Sequence, residues 1–309
     1  MNIRVCEVGP RDGLQGENTH LSVENRGKLV NFLLGSGLDY VEVGSFVNPK
    51  AVPAMAQTDA IVPLIDRDSS HRLTAVIFNG KGLEQALAAE LTGVCLPLVL
   101  TDQLSLKNNR CTVDEAQDRV TRLAKEAKAH GLFVRIDLAP SWVCPYEGDV
   151  PSSRVLRAYE AMMESSVDEI ALCDTIGWAS PQAVSSLCDD IVRGYGSEKL
   201  AVHLHDTQGF GVVNAQAALN AGVRIFDASV GGLGGCPFAR GARGNLATED
   251  LVLLAKRQGI DTGVNLELLH DVVSWLEPKL GRELGGQTKK FWQSLREEQR
   301  DEINGRKAH

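Results

Sequence analysis

Apolar positions along the chain fall into two alternating periods. Short runs of β-branched and apolar residues, closed by Gly, Pro, Asn or Asp, predict strands at Ile3–Val8, Tyr40–Gly44, Leu73–Phe78, Val94–Leu100, Phe133–Leu138, Glu169–Cys173, Leu200–His205 and Ile225–Ser229. Between them, apolar residues recur at helical spacing over Val23–Ser36, Val113–Ala129, Pro151–Ser165, Pro181–Gly194 and Val212–Ala221. Thr112 and Ser180 stand at N-cap positions, Pro181 takes the favoured first helical place, and Gly37, Gly131 and Gly222 mark stops. Eight strands, each followed by a helix, within roughly 260 residues predict an α/β chain folded as a (β/α)8 TIM barrel. An open doubly wound sheet is the alternative, but no G-x-G-x-x-G follows the first strand. Residues 1–264 read as the barrel and 265–309 as a C-terminal helical annex of the same domain, with helices at Leu266–Leu280 and Gly285–Glu302. Ile303 to His309 are expected to fray.

Candidate chemistry gathers where strands end. Residues two apart in a strand project the same way, so Leu200-Ala201-Val202-His203-Leu204-His205 aims both imidazoles at one point. A polar strand end is the bland alternative, but the period-two pair after an apolar run favours a metal site. The first strand stops at Gly9-Pro10 and is followed at once by Arg11-Asp12-Gly13-Leu14-Gln15. After the last strand, the glycine-rich stretch from Val230 to Asn245 carries Cys236 and two arginines and is expected to be a mobile loop that closes over a ligand.

In a TIM barrel the carboxyl ends of the strands share one face, the usual place of the active site. That face would hold Arg11 and Asp12, then Glu42 and Ser45, then Asp174, His203 and His205, and finally Cys236 and Asn245. Asp12, His203, His205 and Asn245 offer a carboxylate, two imidazoles and an amide oxygen. Such a donor set suits six-coordinate Mg²⁺, Mn²⁺ or Co²⁺; Zn²⁺ is less natural without a thiolate. Arg11 could sit where an enolate oxygen develops, and a loop thiol could donate a proton. Together these parts describe metal-assisted carbon–carbon cleavage of a β-hydroxy acyl compound, or its reverse.

Composition removes other classes. Of 309 residues, 43% are hydrophobic and 23% charged, as in globular proteins, and the net charge of −8 argues against a nucleic-acid partner. No apolar run reaches membrane-spanning length. Seven scattered cysteines without a C-x-x-C pair fit a reducing compartment, and a first strand opening at residue 3 leaves no room for a targeting peptide, so a cytoplasmic location is expected.

Gly9-Pro10-Arg11-Asp12-Gly13-Leu14-Gln15, Ser45-Phe46-Val47-Asn48-Pro49-Lys50, Asp174-Thr175-Ile176-Gly177, His203-Leu204-His205-Asp206-Thr207 and the Gly231–Asn245 loop resemble the 3-hydroxy-3-methylglutaryl-CoA (HMG-CoA) lyase family, from about residue 3 to residue 270. The resemblance implies a metal-dependent barrel that splits its substrate into acetyl-CoA and acetoacetate, chemistry of leucine degradation and ketone-body formation. It assigns Asp12, His203, His205 and Asn245 as metal ligands, Arg11 to the enolate and Cys236 to proton transfer. Glu42 and Asp174 match supporting acidic residues, His203 or Asp12 is the candidate base, and Gln15 and Ser45 match pocket positions.

The chain departs from the family at the catalytic mouth. Leu204 and Gln208 stand in a motif that usually reads His-Cys-His-Asp-Thr-Tyr-Gly, and Trp178-Ala179-Ser180 replaces Val-Gly-Thr. Ile77-Phe78-Asn79 replaces Thr-Pro-Asn, and Asp137-Leu138-Ala139-Pro140-Ser141-Trp142 replaces a Tyr-Val-Ser-Cys-like run. Phe78, Trp142, Trp178 and Gln208 are therefore expected to set the acyl group of an acyl-CoA substrate. Lys50, Lys81, Lys107 and Arg110 are candidates for the CoA phosphates, and the apolar face of Leu266–Leu280 for a homodimer surface. Rivals are a condensing enzyme of the isopropylmalate or homocitrate synthase type using acetyl-CoA and a 2-oxo acid, a biotin-dependent carboxyltransferase barrel, and a barrel that binds acyl-CoA without turnover. The Gly-Gly-Cys-Pro loop speaks against the first, and the lack of a lysine at a matching strand end against the second.

Overall fold

The structure, a computed structural model, describes residues 2–236 and 239–303, with the backbone alone for Cys236 and residues 239–243. Eight parallel strands form a closed barrel: β1 (Arg4–Glu7), β2 (Tyr40–Ser45), β3 (Arg72–Val76), β4 (Gly93–Val99), β5 (Phe133–Ala139), β6 (Glu169–Cys173), β7 (Leu200–His203) and β8 (Ile225–Ala228). Neighbours follow chain order, and β1 closes the ring by pairing with both β2 and β8, Cys6 opposite Tyr40 and Val5 opposite Phe226. All eight predicted strands are present. β7 is shorter than expected and stops at His203, because the chain then leaves the barrel ladder to pair with the segment around Asn245.

Helix ends follow local chemistry. Thr112 and Glu115 form a reciprocal cap, Thr112 Oγ1 accepting from Glu115 N at 3.2 Å and Glu115 Oε2 from Thr112 N at 2.9 Å. Ser180 accepts from Ala183 N at 3.2 Å ahead of the Pro181–Tyr195 helix. At Gly37 the backbone takes a left-handed φ of 97°, and a Cβ there would lie 2.3 Å from Gly263 O, so only glycine lets these segments meet.

The C-terminal annex corrects two expectations. The single helix expected over Gly285–Glu302 is two short ones, Lys289–Ser294 and Glu297–Ile303. The residues before them use their amides elsewhere: Gly286 donates to Glu249, and Gln287 and Thr288 to Asp250. The apolar face of Leu266–Leu280, expected as a dimer surface, is used within the chain. Leu266, Leu269, Val273 and Leu276 are buried, and Trp275 packs edge-on against Phe32 of the Val23–Gly35 helix at 5.1 Å.

Outward-facing strand residues pack on the helices, while part of the barrel interior is polar. Tyr40, Cys95, Arg135, Asp137, Glu169 and Asp227 are all buried there and bonded to one another. That charged layer lies directly behind the mouth.

Candidate active site

β1 opens into one wide turn, Gly9–Gly13, closed by a five-residue bond from Gly13 N to Val8 O at 3.2 Å. Turns of this width recur at functional sites. A Cβ on Gly13 would lie 2.7 Å from Leu233 Cβ and Ser229 Oγ, so glycine lets the turn press against the segment after β8. The turn carries Arg11 and Asp12 together. Arg11 donates Nε to Glu42 Oε1 of β2 and Nη1 to Asp12 Oδ1, the latter at 2.5 Å.

Opposite stand the histidines. His203 ends β7; His205 lies in the following segment, where Asp206 N donates to Gly244 O at 2.7 Å and Leu246 N to Leu204 O at 3.0 Å. This pairing brings Asn245 to the site, its Nδ2 donating to Asp12 Oδ2 at 2.8 Å and to Leu233 O at 3.1 Å. The two histidine Nε2 atoms are 3.1 Å apart, and His205 Nε2 is 3.8 Å from Asp12 Oδ2. Asp12, His203 and His205 thus each offer a ligand atom within 4.8 Å of the others.

Three observations fit these residues to a divalent cation. Two donors each ~2.1 Å from a metal and ~90° apart would be separated by ~3.0 Å, close to the histidine spacing. His205 turns Nε2 toward His203 and Asp12, while its buried Nδ1 has no hydrogen-bond partner among the described residues, so the polar contacts of that ring lie on the cluster side. Among the described residues around the cluster, the acids Asp12, Glu42, Asp137, Glu169 and Asp227 outnumber Arg11 and Arg135, a surplus of acidic groups compatible with a bound cation.

Electrostatics separate the acids. Burial pushes the Asp12 carboxyl up, but Arg11 and the histidines overcome it and hold it well below the usual carboxylate range. Burial also pushes Asp227 up, and Arg135 with His203 brings it below its ordinary value. For Glu42 burial wins over Arg11, and its pKa is raised. Burial disfavours charge on His203, yet its hydrogen bond to Asp227 and the charge there raise its pKa overall.

Other predicted residues take varied places. Buried Asp174 accepts from the amides of Trp178 at 3.0 Å and Ala179 at 3.2 Å, which makes it the brace of the loop after β6. Gly177 in that loop touches the loop after β7: its O accepts from Gln208 Nε2 at 3.3 Å, and a Cβ there would meet Thr207 Oγ1 at 2.7 Å. Ser45 is buried, its hydroxyl without a partner among the described residues. Trp178 (59% exposed) and Phe78 (39%) stand at the mouth, whereas Trp142 is buried with Nε1 donating to Ala183 O at 3.2 Å. Gln15, Gln208, Lys50 and Lys81 are exposed, and Lys107 lies over the Tyr146 ring at 3.7 Å. Asp206 accepts from Gly211 N, the first residue of the next helix, at 2.8 Å. The side chain of Cys236 lies outside the described residues.

Arg135 and Asp227 escaped sequence reasoning. Their signal was charge inside two apolar strand runs, Arg135 and Asp137 at Phe133–Leu138 and Asp227 at Ile225–Ser229.

The HMGL-like family model matches residues 2–275. Hydroxymethylglutaryl-CoA lyase YngG of Bacillus subtilis is 36% identical, over 91% of this chain and 94% of its own. The (R)-citramalyl-CoA lyase of Chloroflexus aurantiacus is 39% identical, over 91% and 92%. Among solved structures, an HMG-CoA lyase of Acinetobacter baumannii in complex with coenzyme A and 3-methylmalate superposes with a TM-score of 0.89 at 34% identity, covering 94% of each chain. A barrel of this order, with the Arg-Asp turn facing the paired histidines and relatives matched along nine-tenths of its length, belongs to the HMGL-like family.

Proposed function

We propose that this chain is a divalent-metal-dependent carbon–carbon lyase that cleaves HMG-CoA, or a closely related 3-hydroxyacyl-CoA, into acetyl-CoA and a keto acid, acetoacetate in the case of HMG-CoA. The observation that carries this reading is the convergence of Asp12, His203, His205 and Asn245 beside Arg11 at the barrel mouth. The family's dependence on a divalent metal fits that cluster, with Mg²⁺ or Mn²⁺ as the ion its mixed oxygen and nitrogen donors favour.

A cation bound there would polarise the substrate's hydroxyl and carbonyl oxygens and ease loss of the hydroxyl proton. Asp12 would take that proton, since its carboxylate keeps lone pairs beyond one given to a cation, whereas the single lone pair of His203, on Nε2, is the one offered to the ion. The oxygen's electrons form the new carbonyl as the adjacent carbon–carbon bond breaks, and that bond's electron pair passes to the thioester as its enolate. Arg11, held in place by Glu42 and Asp12, presents its guanidinium to the enolate oxygen. Cys236 returns a proton to the terminal carbon, giving acetyl-CoA. Phe78, Trp178 and Gln208 line the entrance, Ser45 offers a free hydroxyl behind it, and exposed Lys50 and Lys81 serve the CoA phosphates.

The citramalyl-CoA lyase among the relatives supports a second acyl group, one methylene shorter between hydroxyl-bearing carbon and carboxylate. Purified protein with Mg²⁺ or Mn²⁺ would be offered HMG-CoA and citramalyl-CoA, and products followed by mass spectrometry beside chelator-treated and Cys236→Ala controls. Acetyl-CoA with acetoacetate or with pyruvate identifies the substrate. No metal-dependent cleavage of either thioester by folded protein would reject the lyase reading.

A further inference from the structure

Behind His203 runs a line of buried charge. Register places Asp227 of β8 opposite His203 of β7, and Asp227 Oδ2 sits 2.9 Å from His203 Nδ1. From β5, across the barrel interior, Arg135 donates Nη1 to Asp227 Oδ1 at 2.8 Å and Nη2 to Oδ2 at 2.6 Å. A planar guanidinium gripping both oxygens fixes the carboxylate's orientation along with its charge. An ionised carboxylate only accepts, so His203 donates Nδ1–H, and its Nε2 keeps a lone pair aimed at the cluster. His205 has no such brace, since its Nδ1 is unpartnered among the described residues.

We propose that Asp227, clamped by Arg135, is a positioning residue that holds the His203 ring in the Nδ1–H tautomer with Nε2 facing the metal cluster. The proposal rests on the reading of His203 as a metal ligand. Divalent ions bind imidazole through its lone pair, and the opposite tautomer would present an N–H instead. Glu169 supplies the control. It accepts from the same Arg135 Nη1 at 3.0 Å and from Tyr40 at 3.3 Å, and it is buried in the same layer. The hydrogen bonds and ion pairs of Glu169 run to Arg135 and Tyr40, not to His203.

Mn²⁺ affinity of the full chain, read from the electron paramagnetic resonance of the free ion, tests the proposal together with ¹⁵N spectra of the imidazoles in metal-free protein. In Asp227→Asn the amide oxygen faces Arg135 and the NH₂ turns to His203 Nδ1, which must then accept, so the tautomer inverts. The expected result is Mn²⁺ binding weakened roughly 10- to 100-fold, with His203 nitrogen shifts exchanged, while Glu169→Gln changes affinity by less than about threefold. Unchanged binding in Asp227→Asn, or equal weakening in Glu169→Gln, would overturn it. If Asp227→Asn does not fold, Arg135→Lys removes the two-pronged grip while keeping the charge. Several-fold weaker Mn²⁺ binding and mixed His203 tautomers are then expected, and wild-type values overturn the proposal. Wild-type affinity in His203→Ala would instead sink the ligand reading, and the positioning role with it.

Discussion

Arg11 reaches Glu42 and Asp12 at once through different nitrogens, which only a flat, forked cation can do. Lysine in its place would keep a positive charge but release one carboxylate and lose the direction of the donors. Steady-state kinetics of Arg11→Lys on the cleaved thioester should show kcat lower by about 10²- to 10³-fold with KM little changed. A fall in kcat/KM carried mainly by KM would argue that Arg11 binds ground-state substrate. Asp12→Ala should abolish cleavage and also Mn²⁺ binding, because that carboxylate is the anionic member of the Asp12, His203 and His205 cluster; Mn²⁺ still bound at wild-type affinity would remove Asp12 from the site. At this scale the histidine pair and the Arg-Asp turn were legible, since two histidines after an apolar run and a Gly-Pro stop mark strand ends, although His205 lies beyond β7 in the segment that bridges to Asn245. Asp227 and Arg135 were not. A charge inside an apolar run looks the same whether it points to solvent or into a barrel, and only closure of the ring tells which.

At the scale of elements, loops do the assembly that strands begin. Asp174 braces the turn after β6, and Gly177 of that turn lies against Thr207 in the turn that follows His205. Gly177 has a φ of 67°, so Gly177→Ala adds backbone strain as well as a methyl 2.7 Å from Thr207 Oγ1. Displacement of the β7 loop should follow, read as weaker Mn²⁺ binding with a thermal midpoint lowered by only a few degrees. An unaltered metal affinity would mean that the two turns move independently. The reciprocal cap of Thr112 and Glu115 shares no hydrogen bond with the metal cluster among the described residues, and Thr112→Ala should cost about 1 kcal/mol in denaturant unfolding with kcat unchanged. Caps and stops could be read from sequence because each depends on neighbours within a few residues. The break after residue 285 could not, because it depends on Glu249 and Asp250, which lie distant in sequence.

For the molecule as a whole, buried acids make stability depend on pH. Glu7 accepts from Gly9 N, Val230 N and Thr248 Oγ1, and burial raises its pKa from 4.5 to about 7 despite those bonds. Between those values the native protein holds a proton that the unfolded chain has lost. The stabilisation is full below 4.5 and gone once pH has risen through about 7. Glu7→Gln can donate to Thr248 while its oxygen accepts both amides, so it should match wild type at pH 4 and exceed it at pH 8 by at most about 3 kcal/mol. Calorimetry at the two pH values decides, and an equal difference at both would place the titration elsewhere. Ring closure also governs synthesis. Asn245 donates to Asp12 across 233 residues of chain, and β1 finds its second neighbour only in β8. A nascent polypeptide therefore exposes Arg11 and Asp12 early and cannot complete the site until residue 245 has left the ribosome. Chains terminated before that point should capture no Mn²⁺, which makes ion uptake during translation a clock for the final step of folding.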